Sequence, residues 1–221
     1  MNIVNRNIVW TKTDALIFDM DGTLWDAVDS YCKIWIECFR RFGIEREVNR
    51  RDLIGMMGKP LLDIYFSVAG PNPQVPAEQF MPQLEHLEIE MMPLLGGTPY
   101  DGVVAGIERL SHSYPIFLLS NCGADGLNNM MRHIGITDFV TEAVTFGETR
   151  LQKDENIRSI MARHALCHPV YVGDTQSDCT STHIAQVPFA FVSYGFGTCD
   201  SPDIVFDTFS ELTDFFKTLE R

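Results

Sequence analysis

Short apolar runs punctuate this chain, and each stops at a polar cluster. Ala15–Phe18 ends at Asp19, Asp21, Gly22 and Thr23; Ile116–Leu119 ends at Ser120, Asn121, Cys122 and Gly123. Ala143–Phe146 leads into a segment that contains Lys153, Val170–Val172 ends at Gly173, Asp174 and Asp178, and Phe189–Val192 is a fifth run. Short apolar runs bounded by turn residues read as strands buried on both faces, the habit of a parallel sheet. Between them, apolar residues at helical spacing predict helices over Val103–His112, Gly126–His133, Glu155–His164 and Ser177–Ala185, with a last one near Phe209–Leu219. Strand–helix alternation of this kind predicts an α/β fold, a parallel sheet with helices on both faces. Ile3 to Trp10 is read as an extra strand or an extended arm.

The interval after the first strand breaks the rhythm. A βαβ unit takes roughly 30 residues, yet Ile116 follows Phe18 only after about three times that length. The excess carries helical patterns alone. Asp29 or Ser30 is a candidate N-cap for a helix through Tyr31, Ile34, Trp35, Cys38 and Phe42, stopped by Gly43. Helices are expected around Val48–Met57 and Pro60–Val68. After the breaker Gly70–Pro73, another opens at Pro76 and runs to about Met91. The pattern predicts a helical insert, residues 27–94, within a core made of residues 1–26 and 95–221, with linkers at Asp26–Asp29 and Pro93–Pro99.

At 221 residues and 45% apolar content the chain can bury a full core. No apolar run of membrane-spanning length occurs, and the first ten residues lack the apolar stretch and cleavage site of a secretory signal. Six cysteines without framework spacing read as reduced thiols, so a cytoplasmic protein is expected. A formal charge of −13 argues against nucleic acid and anionic membrane surfaces as partners. A small phosphorylated ligand stays compatible, because a local cation suffices for it. Oligomeric state is open, and a monomer is compatible with the pattern.

In open parallel sheets, ligands bind outside the carboxyl ends of the strands. A carboxylate pair (Asp19, Asp21), a hydroxyl (Ser120), a lysine (Lys153) and a second carboxylate pair (Asp174, Asp178) all converge on that edge. Taken singly, each has a bland reading: an Asp after a strand is usually a turn or helix cap, and a lone Lys is usually solvated. The ordered set carries the inference.

In these segments the chain resembles the haloacid dehalogenase superfamily, from Asp14 to about Gly197. Asp19-x-Asp21-Gly22-Thr23-Leu24-x-Asp26 is followed in order by Ser120, Lys153 and Gly173-Asp174-Thr175-x-x-Asp178. The resemblance implies a Rossmann-like core with an inserted α-helical cap, and Mg²⁺-dependent phosphoryl transfer through an aspartyl-phosphate. Asp19 is then the nucleophile, and Asp21 the group that protonates the leaving oxygen and later takes a proton from water. Thr23 fixes the loop or holds Asp21. Ser120 and the Asn121 backbone hold phosphate oxygens, and Lys153 holds nucleophile and phosphoryl group. Asp19, the Asp21 carbonyl, Asp174 and Asp178 are the expected metal ligands, Asp178 either through water or by fixing a neighbour. Asp26 is equally compatible with a cap or a site role.

The implied activity is hydrolysis of small phosphate monoesters. A sugar-phosphate mutase of the β-phosphoglucomutase type keeps the same core motifs and stays open. Dehalogenases lack the second aspartate, so Asp21 opposes that activity, and Lys59 alone is too little to support imine-forming phosphonate cleavage. A phospho-accepting receiver domain is opposed by the insert, and a silent binding protein by the complete motif set. Within the insert, Arg40, Arg41, Arg46, Arg50, Arg51 and Lys59 form a basic cluster. Its ordinary reading is a solvated helix face; its functional one is a focus for an anionic substrate. The stretch Gly55–Leu61 resembles the cap loop of phosphoglycolate-phosphatase-like relatives, which makes Lys59 the candidate for touching the leaving group. Cys122 beside Ser120 is expected to be a buried structural thiol.

Overall fold

The computed structural model describes residues 1–57, 59 and 61–219. From the N-terminus come β1 (Asn2–Ile3), β2 (Ala15–Phe18), β3 (Trp25–Asp26) and four helices: α1 (Val28–Arg41), α2 (Arg50–Ile54), α3 (Leu61–Ala69) and α4 (Ala77–Leu95). Next are β4 (Thr98–Pro99), α5 (Val103–Ser111), β5 (Ile116–Ser120), α6 (Gly126–Ile134), β6 (Glu142–Thr145), α7 (Phe146–Thr149) and α8 (Lys153–His164). The chain closes with β7 (Pro169–Gly173), α9 (Gln176–Ile184), β8 (Phe189–Val192), β9 (Ile204–Phe206) and α10 (Phe209–Thr218).

One sheet in the order β1-β9-β8-β7-β2-β5-β6 forms the core, parallel except where β1 runs against β9. Strand β2 lies between β7 and β5. Its four residues are fully buried and alternate between faces: Leu16 and Phe18 join one apolar cluster, Ala15 and Ile17 the other. The first cluster takes in Ile107 of α5 and Phe209 and Phe216 of α10; the second takes in Ile157 and Ile160 of α8 and Cys179 of α9. An all-apolar strand thus follows from helices covering both faces, and the expected α/β class holds.

Helices α1 to α4 build around an aromatic cluster. Phe80 of α4 stands 4.7 Å from Phe39 of α1 and 4.8 Å from Tyr65 of α3, measured between ring centroids. The two passages between these helices and the sheet are stitched together, because β3 pairs antiparallel with β4.

Several expectations are corrected at the level of elements. The strand expected to reach Phe146 stops at Thr145, whose hydroxyl caps α7 and accepts from Glu148 N–H at 3.1 Å. The helix expected over Val48–Met57 is only Arg50–Ile54, capped by Asn49. The next one begins at Leu61, while Pro60 lies outside the described residues. Helix α1 starts at Val28, where Asp26 rather than Asp29 or Ser30 accepts the backbone N–H of Val28 at 3.1 Å. Helix α4 continues through Pro93 to Leu95 and ends at Gly96, which has φ +60°. Of the N-terminal arm only Asn2–Ile3 is a strand, and Trp10 opens a short 3₁₀ turn. No helix among the described residues is long and apolar enough to cross a membrane, and all six cysteines are free.

Candidate active site

The C-terminal ends of β2, β5 and β7 sit side by side, so their terminal polar residues meet. Asp19 leaves β2 with its N–H on the Val172 carbonyl, 2.9 Å away. Its carboxylate Oδ1 accepts from Lys153 Nζ at 2.9 Å, and the same ammonium donates to Asp178 Oδ1 at 2.5 Å. All three side chains are buried. Burial alone would push the ammonium down, yet Asp178 and Asp19 hold it well above the usual lysine range.

Asp21 is held differently. Trp25 Nε1 donates to its Oδ1 at 2.9 Å and Tyr31 Oη to its Oδ2 at 3.4 Å. Burial, and then the charge of Asp19, push its carboxyl up to about 8, against about 6 for Asp19, where burial is opposed by Lys153. Two acids one residue apart are therefore set to different protonation states near neutral pH, the pattern that separates an acid from a nucleophile. Trp25 and Tyr31 hold Asp21; of the two roles expected of Thr23, fixing the loop or holding Asp21, its contact belongs to the first. The Thr23 hydroxyl is buried without a hydrogen-bond partner, and its carbonyl accepts from Tyr194 Oη at 2.8 Å.

Gly22 turns the chain at φ +84°, and a Cβ there would run into Asp174 Oδ2. Only glycine lets this loop lie against the third carboxylate. Asp174 Oδ2 accepts from Phe196 N–H at 2.7 Å, whereas Oδ1 is buried without a partner. Ligand oxygens of Asp19, Asp174 and Asp178 lie within 4.8 Å of one another, all on buried residues. Burial, then Asp178 and Asp19, push Asp174 up to about 8. An orphaned carboxylate oxygen among buried acids fits a hard divalent cation with oxygen ligands. Asp178 is the most committed of the three. Its Oδ2 accepts from the N–H and hydroxyl of Thr175, at 3.1 and 2.6 Å, while Oδ1 takes Lys153.

One cleft of about 100 Å³ gathers Asp19, Asp21, Ser120, Asn121 and Lys153 with Tyr31, Trp35, Leu53, Lys59 and Glu88 from the helical insert. Its size suits a small substrate. Of the six basic residues in the insert's cluster, only Lys59 lines it. Arg40 and Arg41 pair with Glu37, and Arg50 pairs with Asp26 while its guanidinium lies 6.0 Å from the Phe196 ring centroid. Asp26 therefore ties Arg50 of α2 to the start of α1, where it accepts the Val28 N–H. Gly58, within the expected cap loop, lies outside the described residues. Burial pushes the Cys122 thiol up to about 12, so it is an inert wall of the cleft.

The raised carboxyls have a measurable consequence. Between the ordinary carboxyl value of 3.8 and about 8, the folded metal-free protein holds protons on Asp21 and Asp174 that the unfolded chain has lost. Stability must then fall as pH rises through that window. Melting temperatures taken in EDTA should decline across it, and Asp174→Asn should flatten the decline and melt higher near pH 8. An unchanged slope in that variant would contradict the account of Asp174.

Fold and site together define a parallel α/β enzyme whose buried acids and lysine meet at the C-terminal edge of the sheet. The chain belongs to the haloacid dehalogenase-like hydrolase family, whose model matches residues 16–192. It is 25% identical to a phosphoglycolate phosphatase of Rhodobacter capsulatus over 193 residues, 82% of this chain and 85% of that one. A phosphoglycolate phosphatase of Photobacterium profundum is 22% identical, over 91% of this chain and 95% of that one. Among solved structures, a haloacid dehalogenase-like family hydrolase from Streptococcus pneumoniae superposes with a TM-score of 0.78 at 19% identity, covering 93% of this chain and 99% of that one. A predicted phosphoglycolate phosphatase from Haemophilus somnus gives 0.81 at 16% identity, over 92% and 98%.

Proposed function

We propose that this protein is a cytoplasmic, Mg²⁺-dependent phosphatase of small phosphate monoesters that works through an aspartyl-phosphate on Asp19. The observation that carries the reading is the pairing of Asp19, held by Lys153, with Asp21, pushed up to about 8 in the same cleft. Asp19 Oδ attacks phosphorus as the bond from phosphorus to the leaving oxygen breaks, and Asp21 gives that oxygen its proton. Asp21 then takes a proton from water, whose oxygen displaces the Asp19 carboxylate and releases phosphate. Ser120 and the Asn121 backbone hold phosphate oxygens. Lys153 balances charge on the nucleophile and the transferring group.

Asp19 and Asp174 with the Asp21 carbonyl are the set that would hold Mg²⁺, and the bound cation would offset repulsion between carboxylate and phosphate dianion. Asp178, with both oxygens engaged, suits a positioning role for Lys153. Residues 27–94 act as a cap that excludes water and reads the leaving group, with Lys59 as one contact.

Turnover of an aryl phosphate with Mg²⁺, lost in EDTA, tests the reading; no turnover on a broad phosphate panel would refute it. Asp21→Asn should slow alkyl phosphates by roughly 10²-fold or more and aryl phosphates much less, since an aryl oxide leaves without a proton. Equal rates for variant and wild type on alkyl esters would remove the acid–base role.

A further inference from the structure

We propose that Glu88 of α4 determines specificity and that the leaving group it reads carries a primary ammonium, as in a phosphate monoester of a small amino alcohol. This rests on the phosphatase reading above and names its substrate class.

Glu88 lines the cleft that holds Asp19, Asp21, Ser120 and Lys153. Helix α4 carries four glutamates, Glu78, Glu85, Glu88 and Glu90, and Glu88 is the one that lines the catalytic cleft. Glu90 pairs with Arg41 and His86. Glu88 takes no hydrogen bond and no ion pair from any described residue. The insert's wall of the cleft is largely apolar, with Leu53, Met57 and Ile64, and the Tyr31 hydroxyl is already given to Asp21. Partial burial, then the charge of Glu85, push its carboxyl up to about 7.

Glu88 is half-buried; a carboxylate partly withdrawn from water and without a donor is disfavoured, and a ligand that supplies the donor recovers that cost. The adjoining cleft beyond Glu88 is lined by Glu85 and Asp125, and among the described residues no Lys, Arg or His lines it. A leaving group that ends in a carboxylate would meet Glu88 and the acids behind it; one that ends in an ammonium would complete Glu88. Lys59 also reaches the catalytic cleft, but it is exposed. Water screens an exposed charge far more than a sheltered one, so Glu88 decides the sign.

Phosphoethanolamine, 2-hydroxyethyl phosphate and phosphoglycolate share an ethyl-length leaving group and differ in charge at its far end. With Mg²⁺ present, kcat/KM should rank them in that order, the first ahead of the last by about tenfold or more. Glu88→Gln should lower the ratio of phosphoethanolamine to 2-hydroxyethyl phosphate by about tenfold and raise that of phosphoglycolate to the neutral ester. An equal change on all three, as expected of an effect passed through Asp21, would overturn the proposal. So would a wild-type preference for phosphoglycolate, a ranking that needs no variant. In either case turnover of an aryl phosphate leaves the phosphatase reading standing. Failure of every ester, the aryl phosphate included, removes that reading and the proposal with it.

Discussion

Asp19→Asn is expected to abolish turnover, by roughly 10⁴-fold or more, in a protein that stays folded. The amide matches the carboxylate in shape, and the backbone bond from Asp19 N–H to the Val172 carbonyl is untouched. What is lost is the anionic oxygen that must attack phosphorus. The fold is expected to hold because Asp19 is one of two buried acids sharing the single ammonium of Lys153, and removing one charge relieves repulsion. Turnover on an aryl phosphate and a melting curve test both halves. Retained turnover with a normal melt would end the assignment of Asp19 as nucleophile.

The second large effect is expected at Lys153. Its Nζ stands 2.9 Å from Asp19 and 2.5 Å from Asp178, with all three side chains buried. Methionine fills much the same volume but leaves two buried carboxylates facing each other. Breaking one partner out of a buried ion pair costs about 3–5 kcal/mol. In a chain of this size that corresponds to a fall of roughly 10 °C in melting temperature. Lys153→Met should melt lower by that order in EDTA, and regain part of the loss with Mg²⁺ as the cation takes over charge balance. Turnover should drop by roughly 10²–10³-fold. A variant that melts like wild type in EDTA would show that Lys153 is not what balances the acids.

Much of the core was legible because a strand buried on both faces must be apolar throughout. Ala15–Phe18, Ile116–Leu119 and Phe189–Val192 leave no other reading, and the polar residues at their ends therefore fall at one edge of the sheet. The departures were local or long-range in origin. Thr145 and Glu148 form a capping pair that could have shown α7 in advance. The β3–β4 pair joins residues more than seventy positions apart through two residues each, which no periodicity reveals. Pro93 suggested a helix end, but α4 runs past it to Leu95 and stops at Gly96.

The site divides along the same line. Motif residues were found because their spacing from strand ends is itself the signal. Tyr31 and Trp25 on Asp21, Arg50 on Asp26, and Glu88 in the cleft were not, since each acts through a contact that forms only in the fold. Glu88 sits on a helix with other acids, and nothing in the local sequence separates the one that faces the cleft from those that face water.

The account turns on where the phosphoryl group goes. Wild-type protein, mixed with substrate and Mg²⁺ and quenched in acid within one turnover, can be digested and its phosphoryl group located by mass spectrometry. The account predicts a phosphoryl group on the peptide that spans β2 and the loop after it, at Asp19, and none on that peptide from Asp19→Asn. A phosphoryl group on Ser120, or turnover without any phosphorylated peptide, would contradict it.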